Sequence, residues 1–304
     1  MIKVSILLST YNGEKFLREQ LDSIIEQKGI EWNVLIRDDG SNDGTVLILD
    51  EYSKRDKRFS YYVGENVGPA QSFMRLIENS PDANFYAFCD QDDVWDSDKL
   101  KVAVEILEKE DECKPALYYS NLRIVDEKLN FYRLSHPVPY VQKNKYSALI
   151  ENMATGCTMV FNKKALEYAK GALPSYCSMH DVWIYIICQM FGTVRYDFNA
   201  HMDYRQHGSN VVGTDLERIS INVYFRKLKK MFDKNIQPRY NNAKSFYLAF
   251  EGKMMQADKD KVLKIVQYKD SFKNKIELLV DKDLCIESKL RDLIYRVLIL
   301  LEII

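Results

Sequence analysis

Neither G-x-G-x-x-G nor G-x-x-x-x-G-K-[ST] occurs anywhere in the 304 residues. That sets aside a dinucleotide-binding oxidoreductase and a P-loop enzyme. The six cysteines (Cys89, Cys113, Cys157, Cys177, Cys188, Cys285) include no C-x-x-C pair and lie mostly in apolar runs. They read as reduced, buried thiols of a cytoplasmic protein rather than as a disulfide framework or a zinc site. No apolar run approaches the roughly 18 residues needed to span a bilayer. The opening MIKVSILLSTYN has no cleavage-site pattern and reads as a first strand, not a signal peptide. Glycine and proline are few, at 12 and 7, while 46% of residues are hydrophobic and 29% charged. This is the make-up of a folded protein, soluble or peripheral to a membrane, and disorder is not its default.

The net charge of -1 excludes a broadly basic nucleic-acid binder, but it hides an asymmetry. Residues 1–214 carry 24 Lys+Arg and 31 Asp+Glu, a net of -7; residues 215–304 carry 19 and 13, a net of +6. The change of sign predicts two regions, the second attracted to something anionic.

The first hundred residues alternate strand and helix signals. Val4–Leu8 is a nearly continuous apolar run, as expected of a strand covered on both faces, and Leu17, Leu21, Ile24 and Ile25 follow at helical spacing. Val34–Ile36, Phe59–Val63 and Phe85–Phe88 read as further strands, with helices from about Asp43 or Thr45 and over Gly68–Glu78. Asp96 or Ser97 is placed to cap the next helix, with Leu100, Val104 and Leu107 inward. Such alternation predicts an α/β fold with a largely parallel sheet, in which ligands bind beyond the carboxyl ends of the strands. Later expectations are strands at Tyr118-Tyr119, Thr158–Phe161 and Thr193–Tyr196, a loop-rich stretch over 126–150 and a helix over 180–191. Beyond Gly213 the pattern is almost wholly helical. There Ile221, Tyr224, Phe225, Leu228, Met231 and Phe232 line one face, with Arg226, Lys227, Lys229 and Lys230 opposite. Such a helix could lie on an anionic membrane or pack on the rest of the protein. The closing run Val297–Ile304 could dock, dip into lipid or pair with a second subunit.

The strongest chemical signal is FCDQDDVW, which holds Asp90, Asp92 and Asp93 on a turn after a buried strand. Carboxylates so spaced can converge on a hard cation such as Mg²⁺ or Mn²⁺, whose shell is completed by substrate phosphates. A second acidic turn, Asp38-Asp39, follows another strand, so the two can share one rim. Either Asp38 or Asp39 could instead make an Asx turn.

Taken in order, VSILLSTYNGEKFLREQLDSIIEQ, IRDDGSNDGT, ENVGPAQSF and FCDQDDVW resemble family 2 glycosyltransferases of the GT-A fold. ATGCTMVFNKKAL, MHDVWIYIICQMFG and YRQHGSNVVG look most like the bacterial rhamnosyltransferase branch that builds surface polysaccharides. The likeness covers about residues 2–213 and leaves the helical remainder without a motif. It implies a catalytic domain over 1–214, while charge and helical pattern set off 215–304 as a helical, basic region for membrane association, acceptor binding or dimerisation. It further implies that Thr10, Tyr11 and Asn12 wrap the nucleotide base, and that Asp39 accepts from the imide of uracil or thymine. Asp90 would contact the ribose or nearby groups, Asp92 would ligate Mn²⁺ or Mg²⁺, and Asp93 is left unassigned. Asp181 matches the family's catalytic base, although Ser178-x-x-Asp181 also fits a capping box. His180 departs from the Glu common there and could touch the acceptor or simply pack. His207 could be a third metal ligand or contact the diphosphate, with Arg205 helping to neutralise it. The Gln-x-x-Arg-Trp motif of processive synthases is absent, which favours one sugar per binding event.

The expectation is therefore an inverting, metal-dependent transfer from a nucleotide sugar, dTDP-L-rhamnose first and UDP-hexoses next. The acceptor would be a saccharide, possibly lipid-linked, at the inner face of the cell membrane. A nucleotidyltransferase is the nearest rival, but it would need a Gly-rich, basic stretch where Ser9–Glu14 stands. A non-catalytic scaffold of a polysaccharide assembly complex is the rival outside enzymology.

Overall fold

A computed structural model describes residues 2–138, 144–207 and 236–304. The predicted basic amphipathic helix around Ile221–Phe232 and the 214/215 boundary lie outside the described residues. Those described fall into two compact units: 2–138, 154–171 and 179–207 form the first, and 144–153, 172–178 and 236–304 the second.

The first unit is built on a nine-stranded sheet. Strands β1 (Lys3–Thr10), β2 (Glu31–Asp38), β3 (Phe59–Val63) and β4 (Phe85–Cys89) run parallel in the order β3-β2-β1-β4. The sheet continues through β8 (Val160–Asn162), β6 (Ala116–Val125), β9 (Thr193–Arg205) and β5 (Val94–Trp95), and β7 (Phe131–Leu134) pairs with β6. Antiparallel pairing enters at β4–β8, β8–β6 and β9–β5, but parallel pairing, including the long β6–β9 ladder, carries most of the hydrogen-bonded length. Helices α1 (Leu17–Ile25), α2 (Thr45–Arg55), α3 (Pro69–Asn79), α4 (Lys99–Leu107), α5 (Lys163–Gly171) and α6 (His180–Phe191) cover it. Val4, Ile6, Leu7, Leu8, Val34, Ala87 and Phe88 are fully buried, which explains why these strands read as nearly continuous apolar runs.

The strand order turns the chain back at β1. The connections after β1 build outward to β2 and β3, and β4 then returns to its other side. The crevice at such a reversal lies past the carboxyl ends of β1 and β4, where Thr10–Asn12 and Asp90–Asp93 leave the sheet. Glycine opens α3: Gly68 holds φ +80 and Pro69 takes the first helical position, where its missing N–H costs nothing.

Three local expectations differ from the structure. The residue before α4 is Asp98, with no side-chain cap, because Asp96 is drawn away by a two-pronged pair with Arg123 at 2.6 and 3.0 Å. Residues Gly156–Thr158 form a 3-10 turn, so β8 starts two residues later than the apolar run suggests. Met179 precedes α6 without a side-chain cap, so the predicted Ser178 capping box does not form.

The second unit contains α7 (Pro238–Phe250), α8 (Gln256–Val266), α9 (Phe272–Leu279) and α10 (Lys289–Leu300). Phe246, Phe250, Val262, Ile265, Leu278 and Tyr295 fill its interior. Buried Asp258 accepts from Tyr146 at 2.8 Å and pairs with Lys145 at 2.7 Å, which ties the 3-10 turn Lys145–Leu149 into this unit. The Ser178 hydroxyl accepts from Asn242 at 2.8 Å in the same unit. No described helix is long and apolar enough to cross a membrane.

Candidate active site

The strand ends of the first unit open into one cavity of about 520 Å³, within the usual range for small-molecule sites. Thr10, Tyr11, Asn12, Asp39, Asp90, Asp92, His180, Asp181 and His207 all line it. Nine of the ten predicted site residues thus meet at one place.

The two acidic turns divide their work. Asp38 closes its own turn: it accepts from the Gly40 and Ser41 amides at 3.1 and 2.8 Å, the Ser41 hydroxyl at 2.5 Å and Thr10 Oγ1 at 2.9 Å. It is the Asx-turn residue of the pair. Asp39 faces the cavity and is gripped by Arg37, the Val67 amide at 3.0 Å and the Gly68 amide at 2.9 Å. A carboxylate offers about four acceptor sites, so three donors leave capacity for one more. Asn12, in the left-handed region at φ +48, links the loops: its amide donates to Ser41 Oγ and its Oδ1 accepts from the Asn42 amide, both at 2.9 Å.

Asp90 is set deep at the end of β4. Burial, with Asp92 and Asp181 nearby, pushes its carboxyl up to about 7. Asp93 is fully buried, does not line the cavity and accepts the Arg205 amide at 3.2 Å; burial and its acidic neighbours push it well up. It belongs to the interior, beside Cys157, with which it and Asp90 form a close group. Beneath this cluster lies a cation that the sequence reading missed. Lys99 is fully buried, donates to the Cys157 carbonyl at 2.6 Å and sits 3.5 Å over the Trp95 ring. Burial brings its ammonium down to about 8. A lysine at the start of a helix looks solvated in sequence, and nothing local reveals that β8 and its turn will cover it.

Asp92 and His207 approach directly, with Nε2 and Oδ2 2.7 Å apart, and the imidazole leans on Phe16 at 4.8 Å between ring centroids. A carboxylate oxygen and an imidazole nitrogen converging on a cavity rich in acid groups form a donor set that suits Mn²⁺ and, less fully, Mg²⁺. The residues present fit such an ion.

Arg205 departs from expectation. Its three guanidinium nitrogens donate to the Asp92 carbonyl at 2.9 Å, the Glu127 carbonyl at 2.6 Å and the Glu19 carboxylate at 2.7 Å. It does not line the cavity and is almost wholly buried. Its place is behind the acidic turn, which it holds, rather than against a diphosphate.

His180 and Asp181 open α6. Asp181 accepts the Val182 amide at 2.6 Å and reaches the cavity. His180 stacks on Phe73 at 3.7 Å and meets Phe88 edge-on at 4.5 Å. Both of its ring nitrogens are buried without a hydrogen-bond partner among the described residues, and burial pushes the imidazole down to about 3. Gly156 gives it room, since a Cβ there would stand 2.8 Å from His180 Nε2. A neutral imidazole carries one donor and one acceptor, the complement of a hydroxyl rather than of a phosphate.

Residues 5–169 match the family model described as glycosyl transferase family 2. The chain is similar to the dTDP-rhamnosyl transferase RfbG of Shigella flexneri, at 31% identity over 69% of this chain and 74% of that protein. It is 27% identical, over 54% of this chain and 61% of the other, to an Escherichia coli protein. That protein is the UDP-Glc:alpha-D-GlcNAc-diphosphoundecaprenol beta-1,3-glucosyltransferase WfgD. Among solved structures, S. aureus TarS 1-349 in complex with UDP-GlcNAc aligns with a TM-score of 0.55 at 17% identity, over 93% of this chain and 77% of that one. That likeness is one of fold: GT-A.

Proposed function

Because the chain belongs to glycosyl transferase family 2, we propose that it is an inverting transferase acting on a nucleoside-diphosphate sugar, dTDP-L-rhamnose first. The observation that carries this reading is the gathering of the Asp92–His207 pair, Asp90, Asp39 and Asp181 around one cavity. The rhamnose preference rests on the similarity to RfbG, whose name gives dTDP-rhamnosyl transfer. A UDP-hexose is the second reading, supported by the UDP-Glc donor in the name of WfgD.

In this reading Thr10, Tyr11 and Asn12 border the nucleotide, and Asp39 offers its remaining acceptor site to a pyrimidine imide. Asp92 and His207 would hold a divalent cation, which when bound supplies Lewis-acid charge neutralisation to the diphosphate. Asp181 takes the proton of an acceptor hydroxyl as that oxygen bonds to the anomeric carbon. The bond from the anomeric carbon to the diphosphate oxygen breaks, and its electron pair leaves with the nucleotide. Attack from the opposite face inverts the configuration. His180, held neutral by burial and packed on Phe73 and Phe88, forms the cavity wall beside Asp181 and shapes the space for the acceptor.

The acceptor we propose is a lipid-linked saccharide of bacterial surface polysaccharide, met at the cytoplasmic face of the membrane. The net +6 of residues 215–304 supports this, as does the diphosphoundecaprenol acceptor in the name of WfgD. Liposome co-sedimentation that is indifferent to anionic lipid would remove the membrane part.

The deciding experiment is a thermal-shift panel of nucleotide sugars with and without Mn²⁺. The reading expects dTDP-L-rhamnose to give the largest Mn²⁺-dependent shift; no metal-dependent shift from any donor would refute it. Asp181→Asn should cut turnover about 10²- to 10⁴-fold with UDP or dTDP affinity unchanged. Equal loss of both would reduce Asp181 to a structural part of α6.

A further inference from the structure

Gln91 stands between Asp90 and Asp92, and its side chain does something neither carboxylate does. Its Oε1 accepts the Tyr11 amide at 2.9 Å while its Nε2 donates to the Tyr11 carbonyl at 3.1 Å. This two-pronged contact takes over where the β1–β4 ladder stops. Backbone pairing between those strands ends at Leu8 and Cys89, because the chain after β4 turns to present its carboxylates. The side-chain amide supplies to Tyr11 a donor and an acceptor of the kind a next backbone residue would have supplied.

Gly13 makes room for it. A Cβ at Gly13 would lie 2.3 Å from Gln91 Oε1, 2.7 Å from its Cδ and 3.4 Å from its Nε2. Gly13 does not occupy the left-handed region, so glycine there serves space rather than backbone freedom. On the far side of Tyr11, Asn12 is joined to Ser41 and Asn42, and the Gly13 amide donates to Thr45 Oγ1 at 2.8 Å. One chain of contacts therefore runs from the Asp90–Asp92 turn through Gln91 to the whole loop that follows β1.

We propose that Gln91 is a positioning residue that couples metal binding to nucleotide binding. By clamping Tyr11 to the acidic turn, it makes the turn holding Asp92 and the loop bordering the nucleotide settle together. Ordering one then lowers the cost of ordering the other, and the coupling is reciprocal. The inference rests on the nucleotide and cation reading given above.

The test is a set of UDP dissociation constants, repeated with dTDP, on the full chain by calorimetry in saturating Mn²⁺ and in EDTA. Four proteins are compared: wild type, Gln91→Ala, Gly13→Ala and the double variant. The ratio of the two constants is the coupling. Gln91→Ala should lower that ratio about 3- to 10-fold, the worth of one or two hydrogen bonds. Gly13→Ala should lower it comparably, since its Cβ takes the place of the Gln91 amide. The double variant should be no worse than Gln91→Ala, because the side chain that the added methyl group would displace is already gone. Unchanged melting temperatures exclude a general loss of structure. A wild-type ratio in both single variants, or additive losses in the double, overturns the inference and leaves the cation reading intact. A wild-type protein whose affinity ignores Mn²⁺ overturns both.

Discussion

His180 should make the first unit sensitive to mild acid, by an amount its burial sets. The imidazole is held down to about 3, against the usual 6.5 of an unfolded chain. Below pH 6.5 the unfolded state gains a proton that the folded state refuses, so stability falls as pH falls, by about 1.4 kcal/mol per unit. Between pH 8 and pH 5 this amounts to about 2 kcal/mol, and the loss would go on to about pH 3. Asp90 works in the opposite sense. Its raised carboxyl means that stability is lost as pH rises through about 7, so the wild-type curve alone is a sum of both. A variant isolates His180. His180→Phe keeps a ring that can stack on Phe73 and meet Phe88, and removes the titration. The assay is urea unfolding in EDTA at pH 8 and pH 5, followed by tryptophan fluorescence. All three tryptophans, Trp32, Trp95 and Trp183, are buried in the first unit, so the signal reports that unit alone. His180→Phe should lose less stability on acidification than wild type, by about 2 kcal/mol or roughly 1 M in midpoint. Parallel pH dependences in the two proteins would mean that His180 is protonated in the folded state, and the buried neutral imidazole would be wrong.

Arg205→Lys should weaken Mn²⁺-dependent UDP binding roughly 5- to 30-fold, since a single ammonium cannot reproduce three forked bonds behind Asp92; calorimetry checks this, and unchanged affinity would detach the arginine from the turn. Gly192→Ala would put a Cβ 1.7 Å from the Pro115 carbonyl oxygen, where β6 and β9 begin. It should cost about 1–3 kcal/mol or more in the same urea assay, and a neutral result would mean that this strand start yields easily.

The fold was legible where its cause is local. Val4–Leu8, broken only by Ser5, and Phe85–Phe88 are apolar runs because each strand is covered on both faces, and that fact is written in the residues themselves. The site was legible for a related reason. Carboxylates directly after buried strands fall on one rim of a parallel sheet wherever the strands end, so Asp39, Asp90 and Asp92 could be placed together before their distances were known. The Asx turn at Asp38 formed as read, but other judgements about what a polar group is already bonded to failed. Asp96 looks like a cap until Arg123 takes it, and Ser178 looks like one until Asn242 does. Arg205 looks available to a diphosphate, but its partners Glu19, Asp92 and Glu127 arrive from three separate stretches of chain. Lys99 looks solvated for the same reason, since its partner is a carbonyl 58 residues away. Hydrophobic pattern is a one-dimensional signal, whereas the satisfaction of a charge is settled by groups distant in sequence. It follows that a motif locates a catalytic neighbourhood more securely than it assigns the members. Asp39 shows the point within this cavity: Arg37 and the Val67 and Gly68 amides have already taken most of its acceptor sites, so its surroundings narrow its role before any ligand arrives.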